Sequence, residues 1–370
     1  MQITTDKEEK IKTLIREAES ELKEDFAFAD EISEYNQEKV IDAFAKNGVA
    51  LRHFNGSSGY GIGDEGRHVL GQTFAVAMGA ESGIVSPALL SGTHTLAVAL
   101  FGLLRPGDRA LAVTGLPYDT LRGVIFGKDN GSLKELGVRF DLLDLNAEGA
   151  VDFPALENRL QNAGEDLKMI YIQRSRGYEL RNALTVAEIG EICSFVRAHG
   201  FKGIIFVDNC YGEFVEKEEP CNVGADVAAG SLIKNPGGGL APHVVNQAVK
   251  GSLLIGKCME KLGYENFPKF GRTISDITRA IRFDTEKQLC DFISSVQAAS
   301  PVDAFAVCEP CEMPGYEARV IMAAGCFVEG ASIELSADAP IREPYTAYFQ
   351  GGLTYEHCKY ALKKMLAKLI

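Results

Sequence analysis

Apolar residues in the first part of the chain recur at the spacing of an amphipathic helix. A helix over residues 6–24 would place five of them on one face: Ile11, Leu14, Ile15, Ala18 and Leu22. Thr5 and Glu8 form a capping box that marks the start of this helix. A polar, glycine-rich stretch follows at residues 55–66, so we expect residues 1–50 to form an N-terminal helical arm.

Between residues 83 and 234, short apolar runs alternate with stretches of helical periodicity. The runs at 110–113, 169–172 and 204–207 are typical of buried strands. Between the last two runs, Thr185 and Glu188 form a capping box at the start of a helix with an apolar stripe. A strand, a crossover helix and a second strand predict parallel pairing. We therefore expect a doubly wound α/β domain over residues 51–245.

Residues 246–370 have a different pattern, which favours a smaller C-terminal α+β domain. Two strands are predicted at 332–335 and 345–349, and the Ser-Ala-Asp-Ala-Pro sequence at 336–340 predicts a turn between them. The last helix carries an apolar stripe: Ala361, Leu362, Met365, Leu366 and Leu369.

Composition and charge narrow the classes of function. A chain of 370 residues with 46% hydrophobic residues is typical of a globular protein with two or three domains. Its net charge of −13 disfavours general binding to nucleic acid or to an anionic membrane. The N-terminus is too polar for a signal peptide, and the apolar stretch at 95–104 is too short to span a bilayer. We therefore expect a cytoplasmic protein.

Two short motifs are weak evidence for a metal, redox or dinucleotide site. Cys308 and Cys311 have CxxC spacing, but without a second pair or nearby histidines they favour reduced, incidental thiols over a redox or metal site. Residues 61–66 match GxGxxG, yet a dinucleotide site requires an apolar strand directly before it, and residues 55–60 are polar.

The pair formed by Lys234 and Asp208 is the main indication of chemistry. Lys234 follows the apolar run at 228–233 and precedes an Asn-Pro-Gly-Gly-Gly turn. We expect it at the end of a buried strand, where loss of water favours the neutral amine that Schiff-base chemistry needs. Asp208 ends the apolar strand at 204–207, and a carboxylate there could keep a pyridine nitrogen protonated. Together they predict pyridoxal 5'-phosphate (PLP) as cofactor.

Other residues could complete a PLP site, although each has a simpler explanation. Ser91, Gly92 and Thr93 precede an apolar helix, where backbone N–H groups attract phosphate, and Ser231 could add a hydroxyl. An ordinary helix cap explains Ser91 equally well. Tyr118 could stack on the cofactor ring or simply pack. Arg174, Arg176 and Arg342 could each bind a carboxylate or form an ordinary ion pair.

Long stretches of the chain resemble a known family. The sequence is similar to bacterial proteins of the aluminium-resistance or methionine gamma-lyase-like family, fold-type-I PLP-dependent enzymes related to the cystathionine lyases. The resemblance runs over nearly the whole chain, through residues 54–64, 91–94, 173–178, 207–213, 230–239, 330–338 and 350–357. It implies the fold-type-I PLP-dependent transferase fold, with a mostly parallel sheet flanked by helices and a smaller C-terminal domain.

The resemblance also implies roles for individual residues. Lys234 would hold the PLP aldehyde, Asp208 would contact the pyridine nitrogen, and Tyr118 would stack on the ring. Ser91, Gly92, Thr93 and Ser231 would surround the phosphate. Tyr60 would reach the phosphate of a neighbouring subunit, Arg342 would bind the substrate carboxylate, and Arg174 or Arg176 would lie near the phenolic oxygen. A site shared between subunits implies a homodimer or homotetramer.

The chain departs from the family's pattern at one place. Family members continue past the glycine turn through a further glycine-rich strand and a helix to a second Ala-Pro, whereas here Ala241-Pro242 runs directly into His243. Either the protein lacks one wall of its site, or the expressed polypeptide carries a further segment at this join. We favour the second explanation, because loss of a strand beside the lysine should damage a buried sheet.

These features favour a PLP-dependent carbon–sulfur lyase that acts on a sulfur-containing amino acid. Within PLP chemistry, an aminotransferase or an aldolase is the alternative. A non-catalytic binding or metal-tolerance protein that keeps the fold is a third possibility, motivated by the acidic composition and the family's link to aluminium. The complete lysine, aspartate and phosphate set argues against lost catalysis.

Overall fold

The computed structural model describes residues 5–58, 60, 62–234, 236–237, 239–300, 303–323 and 335–370. A parallel five-stranded sheet forms the first half of the chain. The strand order is β2-β1-β3-β4-β5. The strands are β1 (Arg109–Ala112), β2 (Arg139–Leu142), β3 (Leu167–Gln173), β4 (Ile204–Asp208) and β5 (Val227–Ala229). The three runs predicted as buried strands correspond to β1, β3 and β4, and all pair in parallel, as expected.

Alternate residues of these strands face two separate cores, because both faces of the sheet are covered by helices. On one face Ile170, Ile172 and Val207 pack against α6 (Phe153–Gln161) and α7 (Val186–Ala198). On the other face Met169 and Phe206 pack against α4 (Gly92–Leu103) and α5 (Asp119–Phe126). This is the doubly covered α/β arrangement that the sequence predicts. The capping box of Thr185 and Glu188 at the start of α7 is confirmed.

The second half contains an antiparallel five-stranded sheet in the order β6-β7-β10-β9-β8. Its strands are β6 (Asn266–Phe267), β7 (Thr278–Arg282), β8 (Val320–Met322), β9 (Ser336–Pro340) and β10 (Thr346–Gln350). Three helices from this half cover one face: α8 (Pro242–Lys261), α9 (Glu286–Gln297) and α10 (Tyr355–Leu369). The apolar stripe predicted for the last helix faces this core, and four of its five residues are fully buried: Ala361, Leu362, Met365 and Leu366.

The N-terminal residues form two helices, α1 (Thr5–Glu21) and α2 (Lys23–Lys46), and α3 (Glu65–Ala77) follows. Ile11, Ile15 and Ala18 of α1 enter the core of the antiparallel sheet, so the predicted apolar face is confirmed as a buried one. α2 packs on α3 and α8. Helix α8 runs across residue 245, where the sequence suggests a boundary between the two larger domains.

The turn predicted at 336–340 is wrong, because these residues form strand β9. Ala337 and Ala339 are fully buried against the helices, while Asp338 points from the opposite face. Polar residues and a proline made the segment look like a turn, but pairing with β8 and β10 on both sides overrides that tendency. Of the strand predicted just before it, residues 332–334 lie outside the described residues.

The parallel sheet has an open edge close to the Ala241-Pro242 join. β5 has three residues and, among the described residues, pairs only with β4. Pro242 then occupies the first turn of α8, a position that proline favours because its missing N–H has no helical partner there. None of the helices in the described part of the chain is long and apolar enough to cross a bilayer.

Candidate active site

Lys234 lies in a turn beyond the sheet, so its expected place at a strand end is wrong. β5 ends at Ala229, and the backbone N–H of Ser231 donates to Glu213 Oε1 at 2.8 Å instead of continuing the ladder. Gly230 makes this possible, because a Cβ at that position would stand 2.3 Å from Glu213 Oε1. The chain then turns, with the Lys234 N–H donating to Ser231 O at 3.2 Å.

The Lys234 amine converges with residues from two other segments and with Ser231 of its own turn. Its Nζ lies 4.1 Å from the centroid of the Tyr211 ring. A Cβ placed on Gly92 would lie 3.1 Å from Cys210 Sγ, 3.5 Å from Ser231 Cβ and 3.9 Å from Lys234 Nζ. The glycine therefore keeps a small space open directly in front of the amine. Tyr211 has a φ of +69°, a left-handed conformation that is unusual for a bulky residue.

The charge of Lys234 differs from the expected neutral amine. Burial lowers the pKa of Lys234, but the acidic groups around it outweigh burial and raise the pKa above its usual value. These groups are Cys210, Tyr211, Asp208 and Glu213. Without a cofactor the lysine is therefore an ammonium, with the buried Asp208 and Glu213 carboxyls as its acidic neighbours.

Asp208 ends β4 at the carboxyl edge of the sheet, between Gln173 of β3 and Ala229 of β5. Its Oδ1 accepts the backbone N–H of Cys210 at 3.1 Å, and its Oδ2 accepts the Tyr171 hydroxyl at 3.3 Å. Burial raises the pKa of Asp208. A cationic ring nitrogen placed against the carboxyl would offset this effect and restore the charged form. This edge of a parallel sheet is also where α/β folds place their ligands.

The start of α4 lies beside the same space. Ser91 is the N-cap, and its hydroxyl accepts the backbone N–H of His94 at 3.1 Å. Thr93 Oγ1 lies 2.7 Å from Thr120 Oγ1. Ser91 thus serves as a cap, and the first N–H groups of the helix, including that of Gly92, have no partner within the helix. Gly92 borders the space in front of Lys234, and the N–H groups at a helix start would stabilise a phosphate there.

Glu213 is a buried carboxyl that sequence reasoning did not single out. Oε1 is held by the Ser231 N–H, whereas Oε2 has no hydrogen-bond partner among the described residues. Burial raises the pKa of Glu213 to about 7, although the N–H of Ser231 and the charge of Lys234 oppose the shift. The only feature of the sequence that pointed to Glu213 was its place at the end of the stretch 207–213, which resembles the family.

Glu213→Gln should change the pH dependence of stability. Because the folded pKa lies near 7 and the ordinary value is 4.5, the native state binds this proton more tightly than the unfolded chain does. The contribution of Glu213 is fully present below pH 4.5 and is lost as the pH rises to about 7. Glutamine does not ionise, so the variant should gain up to about 3 kcal/mol on the wild type across this range.

Urea unfolding of the cofactor-free protein at several pH values measures this gain. Glu317→Gln is the matched control, since Glu317 is 76% exposed and should give no such pH dependence. A difference between Glu213→Gln and wild type that stays constant from pH 4.5 to 7 would contradict the prediction.

Tyr118 belongs to a cluster of three tyrosines between the two sheets. Its ring lies 5.5 Å from that of Tyr178 and 6.3 Å from that of Tyr316, centroid to centroid. Its hydroxyl lies 3.0 Å from the Tyr316 hydroxyl. The Tyr178 hydroxyl donates to Asp338 Oδ2 on β9. Tyr178, Tyr316 and Asp338 were not predicted as site residues, because they come from segments far apart in sequence.

The Arg174 guanidinium is held by hydrogen bonds to other residues of the chain. Its Nη1 donates to Asn209 Oδ1 at 2.8 Å and to Gly212 O at 2.9 Å. Its Nη2 donates to Glu216 Oε1 at 2.6 Å, and its Nε donates to the carbonyl oxygen of Leu184. This network holds the segment from Asn209 to Glu216, which carries Cys210, Tyr211 and Glu213 into the site.

The remaining predicted site residues are Arg176, Arg342 and Tyr60, and they differ in their burial. Arg176 is buried, and its nearest acidic partner is Asp276, 3.5 Å from Nη2. Arg342 is half-buried in the turn after β9. Tyr60 is 86% exposed on the segment before α3. The structure therefore brings together Lys234 and its neighbours Asp208, Gly92 and Ser231, and leaves Tyr60 pointing into solvent.

The family match agrees with this geometry. The family model described as methionine gamma-lyase matches residues 11–242 and 240–370. The chain belongs to the methionine gamma-lyase family. It is 42% identical to the uncharacterized protein YnbB of Bacillus subtilis (strain 168), over 90% of each chain. It is also 38% identical to an uncharacterized 33.9 kDa protein of Lactobacillus delbrueckii subsp. bulgaricus, covering 67% of this chain and 96% of that protein.

Solved structures extend the comparison. A proposed cystathionine beta-lyase involved in aluminium resistance from Clostridium acetobutylicum has a TM-score of 0.92 at 42% identity, covering 98% of this chain and 96% of that one. A carbon–sulfur lyase involved in aluminium resistance from Clostridium novyi has a TM-score of 0.91 at 38% identity, covering 100% and 97%. The metB protein of Corynebacterium glutamicum, at 14% identity and a TM-score of 0.53 over 82% of this chain and 85% of that one, shares the fold alone. The fold is therefore that of the fold-type-I PLP enzymes.

The comparisons also bear on the join after Pro242. The family model matches in two stretches that meet at residues 240–242. The alignment with YnbB covers 382 positions, which exceeds the 370 residues of this chain, so the relative has residues where this chain has none.

An intact mass measurement tests whether the expressed polypeptide carries a further segment at this join. We expect a mass above 40.1 kDa, because the parallel sheet ends in a short strand with an open edge beside the lysine turn. Mass spectrometry of the purified protein, with peptide mapping across residues 239–250, gives the answer. A mass of 40.1 kDa would contradict this expectation and establish that the site lacks one wall.

Proposed function

We propose that this protein is a PLP-dependent carbon–sulfur lyase that eliminates a thiol from a sulfur-containing amino acid. The products would be a 2-oxo acid, ammonia and the thiol. The observation that carries the proposal is the convergence of the Lys234 amine, the buried Asp208 carboxyl and the N-terminus of α4 around the space that Gly92 keeps open. Membership of the methionine gamma-lyase family supports the same chemistry.

PLP fits the residues that surround this space. Lys234 would hold its aldehyde, Asp208 would face its ring nitrogen, and Gly92, Thr93 and Ser231 would surround its phosphate. A phosphate also fits the start of α4, because the N–H groups of the first turn of a helix are positive. When bound, the cofactor supplies an electron sink for the bonds at the substrate's Cα.

The residues of the chain would carry the proton transfers. With the substrate bound, the Lys234 amine would act as the general base that takes the proton from Cα. For a substrate with sulfur on Cβ, the bond between sulfur and Cβ would then break, both electrons would leave with sulfur, and the sulfur would take a proton. For a substrate with sulfur on Cγ, a proton would also have to leave Cβ before the bond between sulfur and Cγ breaks. One water molecule finally hydrolyses the carbon–nitrogen bond of the product to give the 2-oxo acid and ammonia. Asp208 would face the ring nitrogen of the bound cofactor, and its charged form would keep that nitrogen protonated.

Product analysis tests this function directly. The purified protein is loaded with PLP, and its visible absorbance is recorded while L-cystathionine, L-methionine or an S-alkyl-L-cysteine is added. We expect 2-oxo acid and thiol in equal amounts, with and without an added 2-oxo acid as amino acceptor. Product that forms only with the acceptor would instead establish an aminotransferase, and release of an aldehyde an aldolase. A protein that stays colourless with PLP and forms no product would favour the non-catalytic alternative.

We also propose that the protein assembles at least as a homodimer, or as a homotetramer. Tyr60 is 86% exposed, on a segment that also exposes Phe54 and Ile62. Aromatic and aliphatic side chains grouped on a surface favour contact with another chain. Sedimentation equilibrium that detects only monomer would contradict the assembly and the role of Tyr60 at a neighbouring phosphate.

A further inference from the structure

Asp338 is a carboxylate in the cleft between the two sheets that the proposed chemistry does not use. It lies on β9, with Ala337 and Ala339 on the opposite face buried in the core. The Tyr178 hydroxyl donates to Oδ2. Tyr118, Tyr178 and Tyr316 stand together beside it, with ring centroids 5.5 to 6.3 Å apart. We refer to these three residues as the tyrosine cluster.

One oxygen of Asp338 is available to a ligand. Oδ1 makes no hydrogen bond within the described part of the chain, and the residue remains half-buried although its neighbours are aromatic. Such a residue lines an opening instead of lying inside the core. Tyr178 holds the carboxylate in place through the other oxygen, so the available oxygen has a defined position.

Asp338 and the tyrosine cluster lie near the proposed catalytic site. The Lys234 ammonium lies within electrostatic reach of both Asp338 and Tyr316. Tyr118, which is expected to stack on the cofactor, belongs to the tyrosine cluster itself. A substrate attached to the cofactor would therefore extend its side chain along the tyrosine rings towards Asp338.

Among the described residues, no lysine, arginine or histidine forms a direct ion pair with Asp338. Burial raises the pKa of Asp338 to about 6, and the opposing effects of the Tyr178 hydroxyl and the more distant Lys234 ammonium do not cancel the effect of burial. A cation placed at Oδ1 would stabilise the charged form, and tyrosine rings offer further attraction to an ammonium group.

We propose that Asp338 binds an ammonium group on the departing half of the substrate, so that preferred substrates are thioether amino acids whose thiol half carries an amine. This inference rests on the proposed function for its chemistry and narrows the substrate class. Cystathionine has such a distal ammonium group, whereas methionine ends in a methyl group. A neutral or anionic thiol half would leave the carboxylate unpaired or repelled.

Two unreactive amino acids of equal length test the subsite in the wild-type, PLP-loaded protein. L-Lysine and L-2-aminoheptanoic acid have side chains with the same number of non-hydrogen atoms, but only lysine ends in an ammonium group. Neither has a carbon–sulfur bond that could be eliminated. We expect isothermal titration calorimetry to give a dissociation constant roughly 10- to 100-fold lower for L-lysine, the range of a hydrogen bond to a charged group.

Two substitutions assign the preference to Asp338. Asp338→Asn keeps the shape and an acceptor for the Tyr178 hydroxyl but removes the charge, so the preference for L-lysine should disappear. Glu317→Gln is the matched control, because it removes an exposed carboxylate from the Tyr316 segment and should leave the preference unchanged. Equal dissociation constants in the wild type, or a preference that survives Asp338→Asn, would overturn the proposal. If Asp338→Asn does not fold, the comparison of L-lysine with L-2-aminoheptanoic acid in the wild type still tests the proposal.

Turnover measurements test the Asp338 subsite and the lyase function separately. S-(2-Aminoethyl)-L-cysteine and S-propyl-L-cysteine are the reactive counterparts of the two ligands, and kcat/KM should favour the aminoethyl compound by a similar factor. If both are eliminated equally well, the subsite is refuted and the lyase function stands. If neither is eliminated but L-lysine still binds more tightly through Asp338, the lyase function is refuted and the cation subsite stands.

Discussion

Lys234→Ala should abolish both the visible absorbance of the PLP-loaded protein and the release of 2-oxo acid. The variant removes the amine that faces the space in front of Gly92, and with it the proposed general base. General bases contribute about 10²- to 10⁴-fold to rate, and loss of cofactor attachment adds to that effect. Absorbance spectra and a 2-oxo acid assay measure the two losses separately.

Borohydride reduction of the wild-type protein gives an independent result, because it fixes the cofactor to the amine that holds it. Peptide mass spectrometry should then find the adduct on Lys234. Lys202→Ala is the matched control, since Lys202 is an exposed lysine in the loop before β4 and should change nothing. Absorbance and adduct retained in Lys234→Ala would show that another amine holds the cofactor.

Arg174→Ala should destabilise the fold by about 3–5 kcal/mol, the cost of removing one partner from a buried ion pair. The guanidinium contacts Glu216 at 2.6 Å and Glu219 at 3.9 Å, and Glu219 is only 1% exposed. Burial already raises the pKa of Glu216 and of Glu219, and Arg174 opposes that shift. Without the arginine, the Glu216 carboxyl and the carbonyl oxygens of Gly212 and Leu184 lose a donor, and Glu219 loses a cation 3.9 Å away.

Urea unfolding at pH 7 measures the loss, and Arg197→Ala provides the comparison. Arg197 forms an exposed ion pair with Asp226, a contact worth at most about 1 kcal/mol. Arg174→Lys keeps the charge but loses the planar fork, so its stability should fall between those of the wild type and Arg174→Ala. Normal stability combined with weak PLP binding would instead place Arg174 at the cofactor, as the family resemblance implies.

The parallel half of the fold could be predicted because its signals are local. Each of the runs at 110–113, 169–172 and 204–207 is apolar in consecutive positions, which is what a strand covered on both faces requires. The capping box at Thr185 fixed the start of α7 by contacts three residues apart. The predicted turn at 336–340 failed for the converse reason. Its strand character depends on pairing with β8 and β10, which no short window of sequence contains.

The identity of the reactive pair came from the sequence, but its electrostatics did not. Lys234 and Asp208 stand out as single charges after apolar runs. Burial alone suggested a neutral amine at Lys234. Tertiary structure reverses that expectation by bringing Cys210, Tyr211 and Glu213 around the amine beside Asp208, and the interactions with these groups outweigh the loss of water and raise the pKa of Lys234.

By itself, the sequence determined a doubly covered α/β fold, a lysine and an aspartate suited to PLP, and membership of the family. These follow from periodicity, from capping contacts a few residues apart and from long motifs. Only the tertiary structure showed that Arg174 belongs to a buried hydrogen-bond network and that Asp338 lies beside Tyr178. Residues 178 and 338 meet across the cleft between two sheets, and a contact between positions so far apart in the chain leaves no local pattern to read.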